Sequence, residues 1–308
     1  MSQNIAVVFP GQGSQKLGML QDYYQNFETF RVIVDDAKNH LGYDLWDIIQ
    51  NDEIKLNKTE FTQPALLATS YAIFKVLREQ KPNLRIQYFA GHSLGEYTAL
   101  LAAECISYKD ALQLVSTRGK LMQNAVTDKE CAMSAILGLS NNDVIACCQE
   151  ASDEGVVEAA NFNSTGQVVI SGEKKAVEKA NAIAKEKGAK RAQILAVSVP
   201  SHCSLMKDAA EKFEMELNKV EFKKPATAVV QNFDAKSHLS SNEIKDAVIK
   251  QLYKPVLWTQ SVQELVTLGI NEIIECGPNK VLSSLIKRID KDITVKDTNT
   301  IDSLENIQ

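Results

Sequence analysis

Tyr88-Phe89-Ala90-Gly91-His92-Ser93-Leu94-Gly95 is the stretch that decides how this chain folds. Tyr88–Ala90 makes a short apolar strand, and a helical pattern runs from Leu94 to Glu104. A G-x-S-x-G between a strand and a helix is a nucleophile elbow. The sharp turn strains the serine backbone, and a side chain at either glycine would collide with neighbouring backbone. Such a turn lifts the Ser93 hydroxyl above a sheet and aims a helix N-terminus at the reacting centre. The Leu94 amide then becomes an oxyanion donor. The alternative, a glycine-flanked turn with an idle serine, fits the strand–turn–helix setting poorly.

The segments around the elbow suit an α/β sheet. Ile5-Ala6-Val7-Val8-Phe9 is continuously apolar and stops at Pro10-Gly11, which predicts a strand buried on both faces, as in parallel sheets covered by helices. Helices are predicted over 62–81, with Pro64 near the start and Leu67, Tyr71, Phe74 and Leu77 at helix spacing, and over 107–123, opened by a capping box of Ser107 with Asp110. The middle of the chain changes character. It predicts a strand over 133–139, a helix over 140–151 opened by Ser140 and Asp143, and strands over 156–161 and 167–170 separated by the turn-rich Asn163–Gly166. A helix over 173–187 and a strand over 191–197 follow. This β-α-β-β-α-β order is the ferredoxin-like pattern, a complete small domain. It reads as an insertion, because α/β character resumes in strands over 226–230 and 270–275 and helices over 242–253, 261–268 and 280–289. The tail from Asp290 is polar and is expected to pack weakly.

Composition narrows the function classes. A chain of 308 residues, 44% hydrophobic and 24% charged, suits one large domain or two modest ones. The net charge of −5 and the lack of a basic stripe argue against nucleic-acid binding. No run reaches about 18 apolar residues, and Met1–Phe9 has no basic region, so neither a membrane span nor a signal peptide is expected. Cys105, Cys131, Cys147, Cys148, Cys203 and Cys276 form no CxxC pair. That fits reduced thiols in a cytoplasmic protein and no metal site.

A serine nucleophile needs a base, and there are four histidines. His92 adjoins Ser93 but points elsewhere in an elbow, so it reads as a lining group. His40 ends a polar helical stretch, and His238 sits in an exposed-looking loop. His202 follows Val197-Ser198-Val199-Pro200-Ser201, where the chain leaves the small domain, and such junctions at strand ends are where sites form. His202 is therefore the expected base. Arg118 shares one helical face with Ala111, Leu114 and Met122. An arginine in an apolar stripe needs an anion, either a buried Asp or Glu or a substrate carboxylate, and spacing leaves both open. Gly11-Gln12-Gly13-Ser14-Gln15 is followed by Lys16, so neither a dinucleotide fingerprint nor a P-loop is present. Its glycines allow close approach to the elbow, and Gln12 offers an amide donor to an oxyanion.

These residues, with Thr62-Gln63-Pro64-Ala65-Leu66, Gly95-Glu96-Tyr97, Arg118-Gly119-Lys120, Asn161-Phe162-Asn163-Ser164, Val199-Pro200-Ser201-His202 and Gln251-Leu252-Tyr253, closely resemble the malonyl-CoA:acyl carrier protein transacylases of bacterial fatty acid synthesis. The resemblance runs in order from about residue 4 to residue 289. It implies an α/β-hydrolase-like large domain of residues 1–128 and 198–308, with an inserted ferredoxin-like small domain of residues 129–197. It further implies Ser93 as the acyl-carrying nucleophile and His202 as its base, oriented by a backbone carbonyl near Gln251 in place of a carboxylate. The oxyanion hole would use the backbone amides of Gln12 and Leu94, which replaces the reading of the Gln12 side chain. Arg118 would grip the malonyl carboxylate, while His92, Gln63 and Met122 would line the acyl pocket. Asn161 and Asn163 would face the cofactor or carrier side. One departure is Cys276-Gly277-Pro278-Asn279, where relatives more often carry Val and Gly at the ends. It leaves Cys276 as a thiol expected near the site floor.

The implied reaction moves malonyl from malonyl-CoA to the phosphopantetheine thiol of acyl carrier protein through a malonyl-serine. The coenzyme A thioester is substrate, and no permanently bound cofactor is expected. The competing reading is a serine hydrolase or thioesterase, which needs the same elbow and base but has no use for Arg118. Expected partners are malonyl-CoA and acyl carrier protein, with no nucleic acid and no membrane, and the protein itself is expected to be a monomer. Carrier proteins of this system are acidic, as the resemblance implies, and this chain is net negative, so docking calls for a local basic patch. The candidates are Lys187, Lys190 and Arg191 on the small domain, with Lys287 and Arg288 on the large one.

Overall fold

The computed structural model describes residues 4–197 and 199–308. Its strands are β1 (Ile5–Phe9), β2 (Ile86–Gly91), β3 (Cys131–Leu137), β4 (Val157–Ser164), β5 (Gln167–Glu173), β6 (Arg191–Ile194), β7 (Ala228–Val230), β8 (Glu272–Glu275) and β9 (Thr294–Asp297). β1 is buried at all five positions because it lies near the middle of a parallel sheet ordered β7-β2-β1-β8-β9. Alternate residues serve two cores. Ile5, Val7 and Phe9 pack with Leu66, Ile73 and Leu77 of the helix Thr59–Gln80. Ala6 and Val8 pack with Val262 and Leu265 of the helix Trp258–Thr267 and with Leu282 and Ile286 of the helix Val281–Ile289.

β3 to β6 form a separate antiparallel sheet ordered β4-β5-β3-β6. One face carries the helices Asn141–Glu150 and Lys174–Glu186, through Ile136, Val168, Ile170, Val144 and Val177. The other face gathers Met133, Ala160 and Val169 with Leu195 and Val197. β4 also bonds to the chain entering the helix Trp258–Thr267: Phe162 N donates to Val256 O at 3.0 Å, and Val256 N donates to Ala160 O at 2.9 Å. These bonds tie the edge strand β4 to the segment that enters the helix Trp258–Thr267 of the large unit. No helix among the described residues is long and apolar enough to cross a membrane.

Several boundaries differ from those predicted. β4 continues through Asn163 to Ser164, so the hairpin turn is only Thr165–Gly166, with Gly166 at φ +73°. β6 ends at Ile194, and Leu195–Val197 is irregular chain. The expected boundary at residue 198 lies outside the described residues, as do Met1–Gln3. The tail is not weakly packed. β9 adds a fifth parallel strand, the helix Ile301–Glu305 follows, and Leu304 and Ile307 are buried. Tyr23 pins this end, its hydroxyl donating to Thr298 O at 2.7 Å. A four-residue edge strand whose single apolar residue is Val295 carries too weak a hydrophobic signal to read as structure. Among the described residues, the helices Gln21–Asn26, Leu45–Asn51, Glu53–Leu56, Lys207–Leu217 and Ile301–Glu305 had no prediction, while Glu28–Leu41 is the helical stretch that His40 was expected to end.

Candidate active site

β2 ends at Gly91, and the helix Gly95–Ala102 starts four residues later, leaving His92, Ser93 and Leu94 to reverse the chain. Ser93 adopts φ +52°, a left-handed conformation that non-glycine residues avoid. Both flanking glycines are required sterically. A Cβ on Gly95 would overlap the Phe9 carbonyl, and one on Gly91 would overlap the backbone of Gly95 and Glu96. β1 holds the turn from below, with Phe9 O accepting from His92 N at 3.0 Å.

His202 reaches Ser93 from the segment after the small sheet. Its Nε2 lies 2.7 Å from Ser93 Oγ, and its Nδ1 lies 2.6 Å from the Gln251 carbonyl. A carbonyl only accepts, so Nδ1 carries the hydrogen and Nε2 presents its lone pair to the serine hydroxyl. No carboxylate is needed to choose the tautomer. Burial pushes the imidazole down to about 3, with the nearby Arg118 charge the second cause. The base is therefore neutral at physiological pH. His92 Nε2 lies 2.7 Å from Asn163 Oδ1, joining the elbow to β4.

Arg118 is 1% exposed on the helix Tyr108–Asn124. Its Nη1 donates to Gln63 Oε1 at 2.9 Å, and its Nη2 donates to Gln251 Oε1 at 3.1 Å and Ser93 Oγ at 3.3 Å. The guanidinium carbon lies 5.5 Å from the centre of the Tyr97 ring, and Nε finds no hydrogen-bond partner among the described residues. Neutral groups thus hold the cation in place, and no Asp or Glu forms an ion pair with it among the described residues. Glu96 supports its charge from further off. Of the two readings that spacing left open, a structural pair with a buried carboxylate finds no such partner among the described residues.

Gln12, His92, Ser93, Leu94, Arg118 and His202 share one cleft of about 170 Å³ with Asn161 and Asn163. Its opposite wall is the bare face of the small sheet, Met133, Val169, Leu195 and Val197. The backbone N–H groups of Gln12 and Leu94 have no partner among the described residues. The Gln12 side chain instead turns to Thr59 Oγ1 at 3.4 Å. Gln63 and Met122 stand behind Arg118 rather than on the cleft wall, with Gln63 Nε2 3.7 Å from Met122 Sδ. Cys276 corrects an expectation. It is fully buried in the core that holds Tyr23, off the cleft, and burial pushes its thiol up to about 12.

His40 and His238 pair with Asp36 and Asp234, away from the serine. Lys190, Arg191, Lys287 and Arg288 are exposed. Arg288 Nη1 donates to Gln167 Oε1 at 2.9 Å, Gln167 pairs with Leu137, and Leu137 pairs with Arg191. The two basic groups thus form one row across the end of the small sheet. Lys187 is already tied to Glu150. Among the described residues no group of three or more His, Cys, Asp or Glu could hold a metal ion. Sequence reading missed Glu96, Gln231 and Asn232, all fully buried beneath the elbow. Only Glu96 follows the motif directly; the other two carry no local signal.

The acyl transferase domain model matches residues 6–304. The chain belongs to the acyl transferase family. Among acyl transferases it is 47% identical to the malonyl CoA-acyl carrier protein transacylase of Haemophilus influenzae, over 99% of this chain and 98% of that one. The acyl carrier protein S-malonyltransferase of Vibrio cholerae superposes with a TM-score of 0.96 at 46% identity, covering 99% of this chain and 100% of that one. A malonyl-transacylase solved in complex with its type II PKS acyl-carrier protein also reaches 0.96, at 47% identity over 98% of each chain. The parallel sheet and separate antiparallel sheet are the architecture these acyl transferases share.

Proposed function

We propose that this protein transfers malonyl from malonyl-CoA to acyl carrier protein, supplying fatty acid elongation. In this reading Ser93 Oγ attacks the thioester carbonyl carbon while its proton passes to His202 Nε2. The oxyanion sits on the amides of Gln12 and Leu94. The carbon–sulfur bond then breaks, and the departing coenzyme A takes the proton back from His202. In the second half the carrier's phosphopantetheine thiol gives its proton to His202 and attacks the malonyl ester, and Ser93 Oγ leaves and is reprotonated. No bound cofactor is required. Every group used comes from one chain, which supports action as a monomer.

The observation that carries the reading is Arg118, a buried cation beside Ser93 Oγ with which no carboxylate among the described residues forms an ion pair. Such a group fits an acyl chain ending in a carboxylate and has no use in a general serine hydrolase. Gln63 and Gln251 hold it, Met122 backs Gln63, and His92 with Asn163 and Asn161 forms the entrance. For the architecture we read an α/β-hydrolase-like large domain of residues 1–128 and 198–308 and a ferredoxin-like small domain of residues 129–197. The strand orders of the two sheets support that division. The row of Lys190, Arg191, Lys287 and Arg288 is read as the docking face for the acidic carrier.

The test is to mix the protein with malonyl-CoA, with and without the thiol-bearing carrier protein, and follow masses. Transfer predicts one malonyl group on this protein, and its passage to the carrier when that is present. A hydrolase would instead release malonate at the same rate whether or not carrier is added, and that result would displace this reading.

A further inference from the structure

We infer that Asn232 is a positioning residue for the acyl transfer, holding the turn at Ser93 in the one conformation that serves both His202 and the oxyanion. The inference rests on Ser93 being the acyl acceptor. Asn232 follows β7, the neighbour of β2, so it stands beside the elbow at the carboxyl end of the sheet. Its carboxamide spans the turn. Nδ2 donates to Gly91 O at 2.7 Å, and Oδ1 accepts from Ser93 N at 2.7 Å. The left-handed Ser93 takes these two groups out of the strand ladder, and the asparagine replaces a peptide neighbour for both.

The grip is returned from the elbow's own helix. Glu96 Oε2 accepts from Asn232 N at 2.7 Å, and Glu96 Oε1 accepts from Gln231 Nε2 at 3.1 Å. All three side chains are fully buried. Gly91, Ser93 and Glu96 on one segment and Gln231 with Asn232 on the other therefore close a ring of hydrogen bonds around the nucleophile. Two consequences follow for the chemistry. The Ser93 amide is already occupied, which leaves the Leu94 amide as the elbow's free donor to an oxyanion. The direction of Ser93 Oγ toward His202 depends on a φ that the elbow's own sequence does not favour. Asn232 does not line the cleft, so it acts through Ser93 and not on the substrate.

Rapid-quench acylation of the full chain with labelled malonyl-CoA tests this. Label on the Ser93 peptide of the parent protein tests the underlying reading, and without it that reading fails first. With it, Asn232→Ala and Asn232→Asp should still reach one malonyl per protein. Their rate constant at saturating malonyl-CoA should fall about 100-fold, while the half-saturating concentration stays within about threefold. Asn232→Asp keeps the acceptor for Ser93 N but sets a carboxylate against Gly91 O, so it should not rescue. Glu96→Gln keeps an acceptor for Asn232 N and should lose only about tenfold. Thermal melts run alongside give the folded fraction. Rates per folded molecule within about threefold of the parent, or a rise in half-saturation alone, would overturn the inference. Should Asn232→Ala not fold, Asn232→Asp and Glu96→Gln decide it on the same criteria.

Discussion

Ser93 Oγ and His202 Nε2 lie 2.7 Å apart although 109 positions separate them, and both residues hold left-handed backbone, at φ +52° and +62°. Conformations of this kind cost about 1–3 kcal/mol each and persist only where the surroundings over-determine them. Ser93 is fixed by its glycines and Asn232. His202 is fixed by its N–H on Leu252 O at 3.0 Å and its ring on Gln251 O.

That contact makes the nucleophile directly testable. Ser93→Ala should abolish the malonyl adduct seen by intact mass after mixing with malonyl-CoA. Peptide mapping of the parent should place the adduct on the fragment carrying Ser93. An adduct of equal yield in the alanine variant would show that another group accepts the acyl chain.

Arg118 should set acyl selectivity. Removing one partner of a buried guanidinium–carboxylate pair costs about 2–5 kcal/mol, or roughly 30-fold to several thousand-fold in kcat/KM. Arg118→Ala should lose that much with malonyl-CoA while sparing or improving acetyl transfer. Equal losses with both acyl groups would make the arginine a structural element only.

The depressed basicity of His202 predicts an unusual pH profile. With the imidazole at about 3 in place of 6.5, the base stays neutral well below physiological pH. Acylation kcat/KM should therefore be flat from pH 8 to below pH 6 and fall only in stronger acid. An acid limb centred near 6.5 would contradict this. Because the Arg118 charge lowers the imidazole, Arg118→Ala assayed with acetyl-CoA should move the limb upward. The sign for stability follows from the same shift. The unfolded chain binds this proton near 6.5 and the folded chain only near 3, so the contribution is full above 6.5 and is lost as pH falls through about 3. His92, also lowered by burial, acts in the same direction. Urea midpoints between pH 8 and pH 4 would show the decline.

Charge reversal can test the proposed docking of the carrier on the row Arg191–Leu137–Gln167–Arg288. Acidic partners repel over a Debye length of about 8 Å unless positive charge is gathered locally. Converting Lys190 and Arg191, or Lys287 and Arg288, to Glu should raise the KM for the carrier and flatten its salt dependence. Formation of malonyl-Ser93 from malonyl-CoA should change much less. Steady-state kinetics against carrier at two salt levels read both quantities, and carrier dependence unchanged in both double variants removes the proposal.

The elbow, the buried β1 and the inserted small sheet were legible in the chain because each rests on local physics. Gly91 and Gly95 answer to steric contact, Ile5–Phe9 to burial on both faces, and the middle segment to its alternation of periods. The edge strand Thr294–Asp297 was not legible, since its support comes from β8 and from Tyr23 rather than from its own residues. Ser93, His202 and Arg118 were identifiable by residue type, yet their roles depend on distances that no spacing encodes. The family resemblance implied a carbonyl near Gln251 as the partner of His202, and the tertiary structure supplies the 2.6 Å contact, across 49 positions, that sets its tautomer. Only the tertiary structure decided that Arg118 is held by Gln63 and Gln251 and forms no ion pair with an acid among the described residues. Asn232 shows the reason most clearly: nothing local marks it, and it matters because β7 lies beside β2 and carries its carboxamide across the turn at Ser93.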